Sequence, residues 1–148
     1  MCKSQTINLS FYKMTDKSYH FIDHTADICV AAWGQTWIEL LKEMLCAILE
    51  VTEPDFSNDV IERKIEVESN NLENLLIDVL NEIIAFMDIH KEAYDQVKVH
   101  QITETKCKIV LGGKKICNLK TQIKSATYHN YTLIKKNDLY YAKVVYDV

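Results

Sequence analysis

The chain is predicted to fold as a single α+β domain, with two helices packed on a largely antiparallel β-sheet. Three observations lead there. Residues 37–48 and 72–87 repeat apolar side chains at helical spacing. The chain beyond residue 95 reads as one extended segment after another. No helix separates those segments, which argues against the alternating βαβ order of a parallel sheet. At 148 residues and 17.2 kDa the chain can bury one real core but not two.

Residues 1–17 show no sustained period, although Ile7, Leu9 and Phe11 alternate. They are read as an N-terminal arm ahead of a domain spanning 18–148. From Tyr19 to Trp33 the pattern is β-like, with Phe21, Ile28, Val30 and Ala32 around a polar interruption at Asp23–Asp27, and Gly34 ends it. Thr36-Trp37-Ile38-Glu39 has the form of a capping box, and Trp37, Leu40, Leu41, Met44, Leu45 and Ile48 follow at helical spacing. Pro54 and the polar run to Asp59 are expected to close that helix, and Ile61–Glu68 alternates as a strand. Asn70-Asn71-Leu72-Glu73 offers an asparagine cap for a second helix ending near His90, the strongest periodic signal in the chain. Strands are then expected at 96–102, 107–111, 116–123, 126–134 and 139–148. Gly112-Gly113 and Asn137-Asp138 are read as the turns between them.

Composition excludes several function classes. A formal charge of −4 argues against a general nucleic-acid binder, although Lys114, Lys115, Lys120 and Lys124 cluster locally. Only three glycines occur, with no glycine-rich phosphate loop and no G-x-S-x-G. The five cysteines are odd in number and form no C-x-x-C pair, as expected of buried thiols in a reducing compartment. No apolar run is long enough to span a bilayer, so a cytoplasmic protein with no membrane partner is expected.

The candidate chemistry lies at the two ends of the domain. Asp27 sits beside the apolar run Ile28-Cys29-Val30, and Asp147 sits between Tyr146 and Val148. A carboxylate in such surroundings is expected to be paired, hydrogen-bonded or metal-bound. Oxygen ligands from Asp27, Asp147 and the Val148 carboxylate suit a hard cation such as Ca²⁺ or Mg²⁺ better than Zn²⁺. The residues alone leave the alternative that Asp27 caps a turn and Asp147 is solvated. Lys124 either balances these carboxylates or is a solvated edge lysine. His20, His24, His90, His100 and His129 show no zinc-finger spacing, and His20 and His24 are read as surface residues or as support for other ligands.

Three of these segments together resemble the archease family. Asp23-His24-Thr25-Ala26-Asp27-Ile28 followed by Ala32-Trp33-Gly34 is similar to its N-terminal signature. Lys124-Ser125-Ala126-Thr127-Tyr128-His129 is similar to its late V-K-A-(I/V)-T-Y-H segment, and Asp147-Val148 to its ending. The likeness covers roughly residues 19–148. It implies an activator, with no catalysis of its own, of the RtcB-type RNA ligase in tRNA splicing and RNA repair. Such a protein promotes ligase guanylylation and multiple turnover and meets GTP and RNA only through the ligase. It also implies metal ligands at Asp27, Asp147 and Val148, with Ca²⁺ foremost and Mg²⁺ or Mn²⁺ as alternatives, and a functional Lys124. Asp23, His24 and His129 fall beside the ligands or at the partner contact. A shorter loop at 112–120, Ser125 in place of alanine and the extra residues 1–17 depart from the family pattern. The rival readings are a divalent-metal-dependent hydrolase and a general RNA or protein chaperone.

Overall fold

A computed structural model describes residues 5–8, 17–23 and 26–148. The class is α+β, as the sequence predicts. The antiparallel strands divide into two four-stranded sheets, with order β1-β5-β6-β4 in one and β2-β3-β8-β7 in the other. The strands are β1 (Gln5–Asn8), β2 (Tyr19–Ile22), β3 (Ile28–Gly34), β4 (Pro54–Glu68), β5 (Glu92–Ile102), β6 (Lys106–Leu119), β7 (Ser125–Lys136) and β8 (Leu139–Asp147). The helices are α1 (Trp37–Thr52) and α2 (Leu72–His90).

Both helices lie between the sheets. α1 packs on β2, β3 and β8 from one side and on β5 from the other, while α2 packs on β7 and on β4, β5 and β6. This middle position explains why α1 is buried nearly all round, even at Lys42 and Glu43. Its apolar stripe is wider than that of a helix with one solvated face.

The helix starts obey local chemistry. Thr36 accepts a hydrogen bond from the Glu39 amide at 3.1 Å, and the Glu39 carboxylate reaches back to the Gln35 amide at 2.8 Å. That closes the capping box one residue earlier than the usual reciprocal bond. α2 is capped by Asn71, which accepts from the Asn74 amide at 2.8 Å, one residue later than the Asn70–Glu73 spacing suggested. Each helix ends on a residue with left-handed backbone, Glu53 and Lys91.

Two turn expectations had different outcomes. Asn137 and Asp138 have φ of 53° and 60° and form the tight β7–β8 hairpin. Gly112 and Gly113 do not turn; they lie inside β6, paired with β4 on one side and β5 on the other. β5 bulges between Tyr94 and Gln96 there, and a Cβ on Gly113 would be driven into the Ala93 carbonyl oxygen. Glycine in this strand marks a close backbone approach. The polar run after Pro54 likewise belongs to β4, with register irregularities at Phe56. Within the segment set apart as an arm, residues 5–8 pair with β5 as an edge strand.

Cys29, Cys46 and Cys107 are buried free thiols, and burial pushes Cys107 up to about 12. Cys117 is exposed, contrary to the expectation from its apolar neighbours. Cys2 lies outside the described residues. No described helix is long and apolar enough to cross a membrane.

Candidate metal centre at the end of the β3–β8 ladder

The last β3–β8 pair is Ile28 with Tyr146. Asp27 directly precedes Ile28 and Asp147 directly follows Tyr146, so the two ends of the domain come to the same end of this ladder. β7 completes the arrangement: Ser125 pairs with Asp147, and the Lys124 amide donates to the Asp147 carbonyl at 2.8 Å. Asp27, Lys124, Asp147 and Val148 are therefore gathered at one end of one sheet.

That end is held firmly from beneath. Tyr146 is buried, with its hydroxyl 3.6 Å from the Met44 sulfur, and burial pushes the phenol far above its usual range. The terminal Val148 packs partly buried against the core. Asn81 of α2 clamps the start of β7: its side-chain oxygen accepts from the Ala126 amide at 2.8 Å, and its nitrogen donates to the Ala126 carbonyl at 3.0 Å. Ile123, just before Lys124, is buried in the core.

Asp27 is half-buried and Asp147 is exposed. Burial is thus weaker than the flanking apolar residues suggested, because Asp147 takes the outward position in the alternation of β8. Proximity replaces burial as the organising fact. Like charges held close together at the end of a ladder destabilise it unless a cation or donor intervenes. An open cleft of about 400 Å³ adjoins Asp27, walled by Phe21, Asp23, Ile28, Glu50 and Thr121 among others. Lys17 forms an ion pair with Glu50 at 3.1 Å.

Among the described residues no three His, Cys, Asp or Glu side chains converge as a ready metal cage. Donors at the ladder end would be the Asp27 and Asp147 carboxylates and a main-chain oxygen of Val148. All are hard oxygens, and their combined negative charge fits Ca²⁺ or Mg²⁺ better than a thiophilic metal.

The other sequence candidates separate. Asp23 is exposed and lines the same cleft as Asp27. Lys124 is exposed, with its backbone tied to Asp147 and its side chain at a neighbouring cleft that Asn81 and Asp88 share. His129 is not at the ladder end. It sits in a bulge of β7, where the five steps from Thr127 to Thr132 face only two steps of β8. Its amide donates to the Thr127 hydroxyl at 3.3 Å. His24 lies outside the described residues. Sequence reasoning missed Asn81, whose helix face also carries Asp78 and Asp88, so that one more polar residue there gave no signal. It also missed Glu50 and Thr121, which only the fold brings to the cleft.

Comparison with known proteins is consistent with this architecture. The chain matches the Archease protein family (MTH1598/TM1083) over residues 19–148. The archease of Methanosarcina barkeri is 31% identical over 142 residues, covering 89% of this chain and 97% of that protein. The archease of Sulfolobus acidocaldarius is 30% identical over 139 residues, covering 88% and 98%. A crystal structure from Thermotoga maritima, described as an archease and possible chaperone, is similar with a TM-score of 0.67 at 26% identity, over 86% of this chain and 94% of that one. The solution structure of Methanobacterium thermoautotrophicum protein 1598 shares the fold, with a TM-score of 0.64 at 20% identity, over 90% of this chain and 100% of that one. With the HTAD segment, the late lysine and the terminal Asp-Val all inside the matched region, this chain belongs to the archease family.

Proposed function

We propose that this protein is a metal-binding activator of an RtcB-type RNA ligase, acting in the cytoplasm in tRNA splicing and RNA repair. The observation that carries the reading is the meeting of Asp27, Asp147, Val148 and Lys124 at one sheet end in a chain of this family. Asp27, Asp147 and the Val148 carboxylate hold a divalent cation, Ca²⁺ foremost. When bound, the cation supplies positive charge that can accept phosphate or carboxylate oxygens of the partner. The chain's own residues position it: Tyr146 and Val148 anchor the terminus, and Asn81 fixes β7 so that Lys124 stays beside Asp147. Lys124 faces the partner's nucleotide or RNA phosphate, and Asp23 borders the contact. Ordering a partner's active site in this way can lower its barrier by several kcal/mol without chemistry in the activator.

Single-turnover guanylylation of the purified ligase tests the reading. Asp147→Ala is expected to abolish stimulation while the protein remains folded, and extending the chain past Val148 is expected to impair it. Stimulation equal to wild type in both variants would remove the tip from the mechanism. The pure protein is expected to hydrolyse neither GTP nor a cyclic phosphate. A hydrolase would need a base at the ladder end, for which His24 and His129 are the candidates.

A further inference from the structure

A strand at the edge of a sheet offers unpaired amides and carbonyls to any other extended chain unless something guards it. Among the described residues the edges are β1 and β4 of one sheet and β2 and β7 of the other. β2 is only four residues long. β7 is broken between Thr127 and Thr132, where Asn130 takes a left-handed φ of 51°. β4 is long, but its register is irregular between Asp55 and Val60, and exposed Glu62, Lys64, Glu66 and Glu68 alternate along it. Each of these three edges carries its own guard.

The fourth edge would be β5, 11 residues long, if β1 did not lie on it. Its pairing with β6 is irregular between Tyr94 and Gln96 and again between Val99 and Gln101, which leaves residues 96–99 as a regular stretch between two bulges. Bulges twist a strand away from new partners, and the stretch between them stays open to one. β1 pairs with those four residues: Gln5 with Val99, Thr6 with Lys98, Ile7 with Val97 and Asn8 with Gln96. The four residues of β1 precede the family-matched region, which starts at residue 19. The matched domain presents this edge, and the segment ahead of it supplies the cover.

We propose that β1 is a displaceable plug over a docking edge, and that the partner it excludes is β5 of a second copy of this chain. A twofold antiparallel pairing centred on Val97 sets Asp95, Gln96, Val97 and Lys98 of the second copy opposite Val99, Lys98, Val97 and Gln96. β1 presents Gln5, Thr6, Ile7 and Asn8 to the same four residues. Both strands read polar, polar, apolar, polar, so a second copy repeats the pattern that this edge already accepts. Val97 is buried, and the apolar position of the second copy falls on the same, core side of the sheet. Such a contact is isologous and closes at two chains. It belongs to the sheet that does not carry the ladder-end carboxylates, so it stands or falls independently of the activator reading.

The test uses the full chain. Successive amide N–H groups of a strand point to opposite sides, so a Thr6→Pro/Ile7→Pro double variant loses a donor toward β5 whichever of the two faces it. Light scattering should read 17.2 kDa for the wild type and, as concentration rises, twice that mass for the variant. Hydrogen exchange should find residues 96–99 protected in the wild type, unprotected in the dilute variant and protected again in its dimer. Adding Gln96→Lys sets like charges opposite one another at Lys98 of the second copy and should return the variant to a monomer, whereas Gln96→Glu should tighten its dimer. A wild type already dimeric, a variant that stays monomeric at every concentration, a dimer indifferent to Gln96→Lys, or growth beyond two chains overturns the proposal. If circular dichroism shows the proline variant unfolded, exchange in the wild type decides. Residues 96–99 should open through a local event at lower free energy than global unfolding, and opening only with the whole domain overturns the proposal.

Discussion

Asp147→Asn should stabilise the protein in chelator and destabilise it in calcium. A cation shared by Asp27 and Asp147 requires their carboxylates within about 5 Å of each other, where in a water-like dielectric they repel by roughly 1 kcal/mol. The water-like value applies because Asp147 is exposed. Removing one charge in EDTA should therefore raise the Tm by about 3 °C for a domain of this size. With Ca²⁺ at a hundredfold its Kd, the wild type gains about 2.7 kcal/mol, or roughly 5–10 °C. The variant lacks a donor and should gain only a small part of that. Differential scanning calorimetry in EDTA and in CaCl₂, on wild type, Asp27→Asn and Asp147→Asn, reads the crossing directly. If the order of Tm values is the same in both conditions, or if Ca²⁺ stabilises the variants as much as the wild type, these carboxylates do not share a cation.

Asn81→Ala leaves the Ala126 amide and carbonyl without their side-chain partner. It should cost about 1–3 kcal/mol in urea denaturation and lower ligase stimulation by loosening Lys124. The buried Glu92 carboxylate is held below the ordinary value of 4.5 chiefly by its hydrogen bonds from Arg63, with a further bond from Tyr94. Its lowered folded pKa makes its stability contribution complete above that ordinary value, and the contribution is lost as pH falls through the folded one. Urea midpoints measured across the acid range should fall less steeply for Glu92→Gln than for wild type. Gly113→Ala should drive a Cβ into the Ala93 carbonyl and prevent β6 from pairing with β5 there, giving little soluble folded protein on expression.

Local signals in the sequence were reliable where neighbours along the chain settle the structure. The Thr36-x-x-Glu39 cap, the period of α2 through His90 and the Asn137-Asp138 hairpin all depend on residues within one turn of each other. Gly112-Gly113 misled because a glycine pair satisfies either a two-residue turn or a close approach between strands. Only the bulge in β5, distant in sequence, selects between them. Asp23, Asp27, Lys124 and Asp147 stood out as polar residues set among apolar or family-like segments. Asn81, Glu50 and Thr121 carried no comparable mark, since their roles depend on which backbone or cleft wall they meet.

The sequence by itself determined the class, the two helices, the family and the residues worth testing, because periodicity, capping and motif order are properties of the linear chain. Tertiary structure alone decided that the helices lie between two sheets, since helical periodicity does not say how many faces will be covered. It also decided that Asp27 and Asp147 lie at the same end of one sheet. That adjacency follows from the pairing of Ile28 with Tyr146 across more than a hundred residues, and a one-residue slip in register would separate the carboxylates onto opposite faces.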